Sequence, residues 1–465
     1  MAEQILVRFA GAGEGVEELS WGQQELWRGM RRRGTWMPMG FALPLPPGTT
    51  VEDVVAELRF SVGRYQTLRT RLRHDPDGRT RQVVSSRGEV ALDVVDAAAD
   101  ADPAEVAERV RRRYWETEYD FVTQWPVRTA VIRHRGVPTH HVMVVCHLVT
   151  DGFGALVMMR ELSERDPVTG AAKAPMTAMQ PLEQARWQRS PAGQRQCAAA
   201  LRHWEGVLRA IPARRFPGAT DPRSPRHWSA GLTSRAMYLA LRAVAARTGA
   251  DSSPLLLGVF AVALARAIGV EPVVTRVVVN NRFRPGLART VSQIAQTGLC
   301  VLDVAGRTVE GALAHTRQRV IAAYKHAYYD PARVEALVER ISRERGEELD
   351  LACFYSDRRL LERDPDTDRP APAEAEIRAA LPETTFRWES KLDEPSERLF
   401  LFVNPAEHAV DLSLFADTHH VSPAQIEAIL RGMETAAVQA ALTPAARVQR
   451  QTLPEAPAIS SRRRP

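Results

Sequence analysis

The segment His141-Val-Met-Val-Val-Cys146-His147-Leu-Val-Thr-Asp151-Gly152-Phe153-Gly154 holds the residues best suited to chemistry. Alternation along a strand puts His147 on the face of Val145 and Met143, at the strand's C-terminal end. A turn through Asp151-Gly152 comes next, and Ala155–Leu162 continues as an apolar-striped helix. An imidazole at such a strand end projects into whatever cleft borders the sheet. Its unperturbed pKa near ~6.5 lets it take a proton from an amine or hydroxyl at neutral pH. General-base help of that kind contributes roughly 10² to 10⁴ in rate. Gly152 admits close approach of a substrate to the backbone, and its N–H can face developing negative charge. Asp151 can fix the turn by pairing with a cation elsewhere. Acyl transfer from an activated donor such as a thioester suits this set. Taken alone, HxxxDG fits equally a partly buried structural histidine beside a turn-forming Asp-Gly.

The elements that must position these residues announce themselves by caps and periodicity. Thr50-Val-Glu-Asp53, Asp102-Pro-Ala-Glu105 and Ser422-Pro-Ala-Gln425 each set an N-cap oxygen three residues ahead of a side chain able to reach back. Val54, Val55, Leu58, Val62 and Tyr65 keep helical spacing after the first, and Ile426, Ile429, Leu430 and Met433 after the last. Val127–His134 and His141–His147 read as strands, separated by a break at Arg135-Gly136-Val137-Pro138; Val273–Val279, Leu399–Val403 and Val410–Ala416 read likewise. This mixed order predicts an α/β or α+β build, with sheets covered by helices on one face. Proline-rich Asp166–Arg226 reads as a crossover with a helical piece near Ala199–Ala210. The expected organisation is an N-terminal lobe 1–165 carrying HxxxDG, a crossover 166–226, a C-terminal lobe 227–445 and a frayed tail 446–465.

The 465 residues are 45% hydrophobic and 25% charged, enough for a large core and for two lobes. Lys plus Arg is 62 against 56 for Asp plus Glu, a formal +6. Spread along the chain, it favours acidic or phosphate-bearing partners without requiring nucleic acid. Cys146, Cys197, Cys300 and Cys353 lie far apart, which excludes a disulfide framework and a thiolate zinc site and fits a reducing cytosol. His141 and His147 stand about 20 Å apart by strand rise, too far to share one ion. Met1–Glu18 lacks a signal peptide's apolar core. The longest apolar run, Leu255–Ala265, falls short of the about 20 residues of a bilayer span. A soluble, cytoplasmic protein is expected.

Further motifs flank the histidine. Ser20-Trp-Gly-Gln23-Gln-Glu-Leu26-Trp27 resembles the SxxQxxLW opening of nonribosomal peptide synthetase condensation domains. Arg64-Tyr65-Gln66-Thr-Leu68-Arg69-Thr70 looks like that family's RHExLRT, with Tyr65 and Gln66 replacing His and Glu. Tyr119-Asp120-Phe121 through Trp125-Pro126-Val127-Arg128 is similar to its FDLxxGPLxR stretch, and Cys146-His147 to Asp151-Gly152 stands where the family has HHxxxDG. Leu201 to Leu208, with Trp204, resembles its YWxxxL segment, Leu255–Gly269 its long apolar helix, and Asn281-Arg282-Phe-Arg-Pro285 its GRxxP element with Asn for Gly. The order is kept over roughly residues 18–440.

The resemblance implies two chloramphenicol-acetyltransferase-like lobes in a V-shaped pseudo-dimer with a central tunnel. It implies that donor and acceptor arrive on phosphopantetheine arms of carrier proteins, with no cofactor bound by the chain itself. His147 would be the catalytic histidine. Asp151 would be structural, paired with an arginine: Arg282 by its RxxP context, with Arg276 and Arg69 behind it. Gly152 would face the oxyanion. The expected function is a stand-alone condensation enzyme of natural-product biosynthesis, forming an amide or ester with carriers supplied in trans and a free or tethered acceptor. The rivals are an acyl-CoA-dependent transferase of the same fold and an inactive carrier-binding recruitment module. Phe153-Gly154-Ala155 differs from the Ser-Trp of epimerisation relatives, and His147 from the aspartate of heterocyclisation relatives. Cys146 is expected to pack, pointing away from the His147 face. His419-His420 lacks a following aspartate and reads as a repeat of the strand–turn–helix without chemistry. The arginine triplets 31–33, 111–113 and 462–464 lack aromatic interleaving, so no nucleic acid is expected, nor a membrane; the duplicated fold favours a monomer.

Overall fold

The N-caps begin the helices where the sequence places them. In the computed structural model, which describes residues 3–166, 169–216, 218, 221–359, 370–393 and 397–450, Thr50 and Asp53 exchange bonds (Asp53 N to Thr50 Oγ1 3.1 Å, Thr50 N to Asp53 Oδ2 2.9 Å) ahead of the helix Val51–Arg64. Ser422 and Gln425 do the same before Pro423–Leu442. Asp102 caps Pro103–Glu116 through Ala104 N. The hairpin Val127–His134 / Val137–Cys146 turns more tightly than expected, on Arg135 (φ 52°) and Gly136 (φ 79°) alone. Two left-handed residues match the twist of the flanking strands. Val137 and Pro138 therefore belong to the second strand, where the register shifts opposite Ile132 and Arg133 and accommodates the proline.

The described residues form two compact units: those up to Cys197 with Asn280–Gln296, and Ala198–Val279 with those from Thr297 on. This corrects the expected boundaries. The prolines read as a connector include Pro181 and Pro191, which open the helices Pro181–Arg189 and Pro191–Ala210 at positions where a missing N–H costs nothing. The division falls inside the second of them. Residues 280–296, which carry Arg282, return to the first unit.

In the first unit a five-stranded sheet runs in the order Glu3–Ala10, Arg87–Ala97, Val127–His134, Val137–Cys146, Pro38–Pro44. Every neighbouring pair is antiparallel except Arg87–Ala97 with Val127–His134. Both faces are covered, not one: Val7, Val54, Leu58, Leu92, Val131 and Val145 form one core, and Trp36, Val106, Val110, Ile132, Val142 and Val144 another. The near-continuous apolar character of the central hairpin results from that double burial. A three-stranded ribbon (Gly15–Glu18, Thr80–Val84, Thr70–His74) completes the unit's sheets among the described residues.

The second unit holds a seven-stranded mixed sheet, ordered Gln296–Leu302, Val273–Val279, Cys353–Asp357, Leu399–Asn404, Val410–Asp417, His227–Ser234, Thr385–Leu392. Arg235–Thr248, Ser252–Ile268 and Pro423–Leu442 contribute to its core, and every residue from Leu255 to Ile268 is buried. Among the described residues no single helix is long and apolar enough to cross a membrane; Arg235–Thr248 and Ser252–Ile268 reach that length only together and are bent by 117°. The tail expected to fray from 446 is anchored up to residue 450: Val309 N donates to Ala446 O, Val448 N to Arg307 O, and Val448 is buried. The rest of it, with Arg462–Arg464, lies outside the described residues.

Candidate active site

The strand Val137–Cys146 ends in a tight set of backbone bonds that hand the chain over to His147. Cys146 N donates to Pro126 O at 3.0 Å, His147 N to Met37 O at 3.2 Å and Val149 N to Cys146 O at 2.9 Å. Leu148, Val149 and Thr150 are buried, whereas the His147 side chain is half-buried. Its Nδ1 lies 3.0 Å from Thr150 O. A carbonyl only accepts, so the neutral ring carries its proton on Nδ1 and its lone pair on Nε2. A general base needs that tautomer with Nε2 facing the acceptor.

Asp151 begins the helix Gly152–Ser163, accepting from Gly154 N at 2.9 Å. Its side chain is almost sealed, 9% exposed. Arg282 grips it with both terminal nitrogens, Nη2 to Oδ1 at 2.7 Å and Nη1 to Oδ2 at 2.9 Å. Ala295 N (3.2 Å) and Ile294 N (3.4 Å) also donate to Oδ2. Arg282 passes a further bond from Nη2 to Thr290 O. This bidentate pair ties the turn after His147 to the segment 280–296. The other two arginines are engaged elsewhere: Arg69 clamps the carbonyls of Ala12, Gly13 and Ser85, and Arg276 donates to Thr297 Oγ1.

Gly152 is exposed and is the first residue of that helix, so its N–H belongs to the turn where backbone donors lack carbonyl partners. Gly154, which sequence reasoning passed over, is the tighter constraint. A Cβ there would lie 2.1 Å from Thr150 Oγ1 and 3.0 Å from Arg282 Nη2. Gly154→Ala is expected to cost about 1–3 kcal/mol by overpacking, read as a lowered midpoint in urea unfolding. An unchanged midpoint would mean that the turn yields freely.

Glu161, also missed, sits 8% exposed on the same helix. It accepts from Arg64 Nε and from Tyr65 Oη (2.7 Å) and pairs with Arg289 Nη2 at 3.0 Å. Burial pushes its carboxyl up, but the bonds from Arg64 and Tyr65 and the nearby guanidinium groups hold it below the usual carboxylate value. The signal for it was a lone carboxylate inside an apolar helical stripe.

Cys146 is buried, and burial pushes its thiol up to about 12. Its Sγ approaches Trp36 O at 3.5 Å, so it is packing and not a nucleophile. His141 bonds Thr129 Oγ1 through Nε2, and burial pushes it down to about 4. In the second unit the turn at His419-His420 is organised by Asp417, which precedes the histidines and is held by Arg226 (2.9 and 2.6 Å). Among the described residues no group of three or more His, Cys, Asp or Glu side chains could hold a metal ion.

Residues 34–351 match the family model described as Condensation domain. The chain belongs to the condensation-domain family. At 27% identity over 346 residues (70% of this chain), it is similar to the isonitrile lipopeptide synthase of Mycobacterium tuberculosis. It is 27% identical over 336 residues (67%) to the phosphinothricin tripeptide synthetase PhsC of Streptomyces viridochromogenes. It spans only 13% and 30% of those two proteins. The condensation domain of the Monacolin K polyketide synthase MokA superposes with a TM-score of 0.71 at 16% identity, over 94% of this chain and all (100%) of that one. SgcC5 of Streptomyces globisporus gives 0.66 at 18%, over 92% and 100%. The fold is thus chloramphenicol-acetyltransferase-like.

Several motifs of this condensation domain are structural devices. Ser20 and Gln23 form a reciprocal cap on Trp21–Arg33. Arg128 donates to the carbonyls of Tyr114, Thr117 and Glu118, closing the end of Pro103–Glu116. Asn281 replaces the usual glycine at φ 59°, a left-handed position that Asn tolerates best after Gly, and its amide bonds Ile294 O.

Proposed function

We propose that this condensation domain joins a carrier-tethered acyl or aminoacyl thioester to an amine or hydroxyl acceptor, receiving its carriers in trans. His147 Nε2 takes the proton of the acceptor as its nitrogen or oxygen attacks the thioester carbonyl. The resulting tetrahedral oxyanion faces the Gly152 N–H. Collapse of that intermediate breaks the C–S bond, forms the amide or ester, and returns the proton from the imidazolium to the departing pantetheine thiolate. Asp151 and Arg282 hold the turn that carries both groups. The observation that carries this reading is the Nδ1–Thr150 O bond, which puts the ring proton on Nδ1 and the basic lone pair on Nε2.

The test pairs the same acyl groups on a panel of carrier proteins and on coenzyme A, with amine and alcohol acceptors, followed by intact mass spectrometry. Product from carrier-bound donors is expected. Product from coenzyme A thioesters alone would make the protein a small-molecule acyltransferase, and carrier binding without turnover would make it a recruitment module.

A further inference from the structure

The first unit contains a cavity of about 550 Å³, in the size range of small-molecule sites. Three charged side chains line it: Arg64, which is paired with Glu161, and the exposed Arg59 and Glu183, neither of which has an ion-pair partner among the described residues. Arg59 Nε is anchored on Arg8 O at 3.3 Å, which holds the guanidinium on its wall. Glu183 stands in the first turn of Pro181–Arg189. That helix lacks a side-chain cap, because its N-cap residue Gln180 turns its Oε1 to accept from Gln66 N. Its N-terminus, through Gln180 and Glu183, lines the same cavity as Arg59 and adds partial positive charge there. Phe60 and Met176 supply an apolar surface, and Phe60 is held between the guanidinium groups of Arg64 and Arg165 at 5.8 and 5.5 Å.

An exposed cation, an uncapped helix start, an unpaired carboxylate and an apolar wall in one cavity match the groups of a zwitterion with an apolar side chain. We propose that this cavity binds a free α-amino acid of that kind. The α-carboxylate meets Arg59 and the helix N-terminus, the α-ammonium meets Glu183, and the side chain lies on Phe60 and Met176. A ligand with only one of the two charges would make only one of the two charge-assisted contacts.

Isothermal titration of the full chain with leucine and phenylalanine tests this at low salt. Both are expected to bind, and leucinamide and N-acetyl-leucine to bind at least about tenfold more weakly, each having lost one charge-assisted contact. Arg59→Ala and Glu183→Gln should weaken leucine binding by a similar factor with an unchanged unfolding midpoint, and His147→Ala should bind leucine like the parent. No heat with either amino acid would overturn the proposal. So would binding that ignores both substitutions, or binding abolished by His147→Ala. None of these outcomes depends on condensation turnover, so the proposed reaction stands or falls separately.

Discussion

His147→Ala is expected to lower condensation of a carrier-bound donor by about 10²- to 10⁴-fold, or about 3–5 kcal/mol of barrier, with the fold intact. The fold should survive because the ring is half-buried and its Nδ1 bonds a carbonyl of the adjoining turn, Thr150 O. Losing that donor costs on the order of 1–3 kcal/mol in a protein of this size. The loss in rate should depend on the acceptor. An alcohol must surrender its proton during attack, so ester formation should fall toward the larger figure. An α-amine is already a competent nucleophile when neutral, so amide formation should fall toward the smaller one. His147→Asn sharpens the test, since its amide nitrogen stands where Nδ1 does, can still donate to Thr150 O and cannot take a proton. It should restore stability without restoring rate. Single-turnover mass spectrometry on loaded carriers reads the effect, and full turnover in His147→Ala would remove the ring from the chemistry.

The elements around this histidine were largely legible because local rules governed them. Thr50, Asp102 and Ser422 marked helix starts through bonds spanning two or three residues, and Val127–His134 and Val273–Val279 appear with the bounds their β-branched runs gave. What failed was whatever depended on distant parts of the chain. Prolines at helix position N1 looked like linker prolines, because only the packing of the residues after them separates the two. Burial of the first sheet on both faces was hidden, since a run buried on both sides and a short buried helix share one apolar signature. Val448 lies in a polar, proline-bearing stretch yet packs against the start of Val309–Lys325. At the site, the Asp-Gly turn was visible, but Gly154 and Glu161 were not. Their importance lies largely in neighbours from 282, 64, 65 and 289, which no spacing along one strand–turn–helix can display.

Arg282→Ala and Asp151→Ala are each expected to destabilise the protein by about 3–5 kcal/mol, because each leaves its partner's charge buried and uncompensated. The two side chains are 7% and 9% exposed, so water cannot replace the missing partner without opening the turn. The losses are not equivalent in kind. Without Asp151, Arg282 keeps only Thr290 O for its terminal nitrogens, and the helix Gly152–Ser163 loses its cap at Gly154 N. Without Arg282, the carboxylate still accepts from Gly154, Ile294 and Ala295, so it stays partly satisfied. Asp151→Ala should therefore be the worse of the two. The double variant should cost clearly less than the sum, since removing both charges abolishes the penalty that each single change exposes. Arg282→Lys should not rescue, because a point ammonium cannot span both carboxylate oxygens. Urea unfolding of the four proteins gives the coupling energy directly. Additive, sub-kilocalorie effects would show that the pair is incidental, and would leave the turn beside His147 without the brace on which the proposed geometry of attack depends.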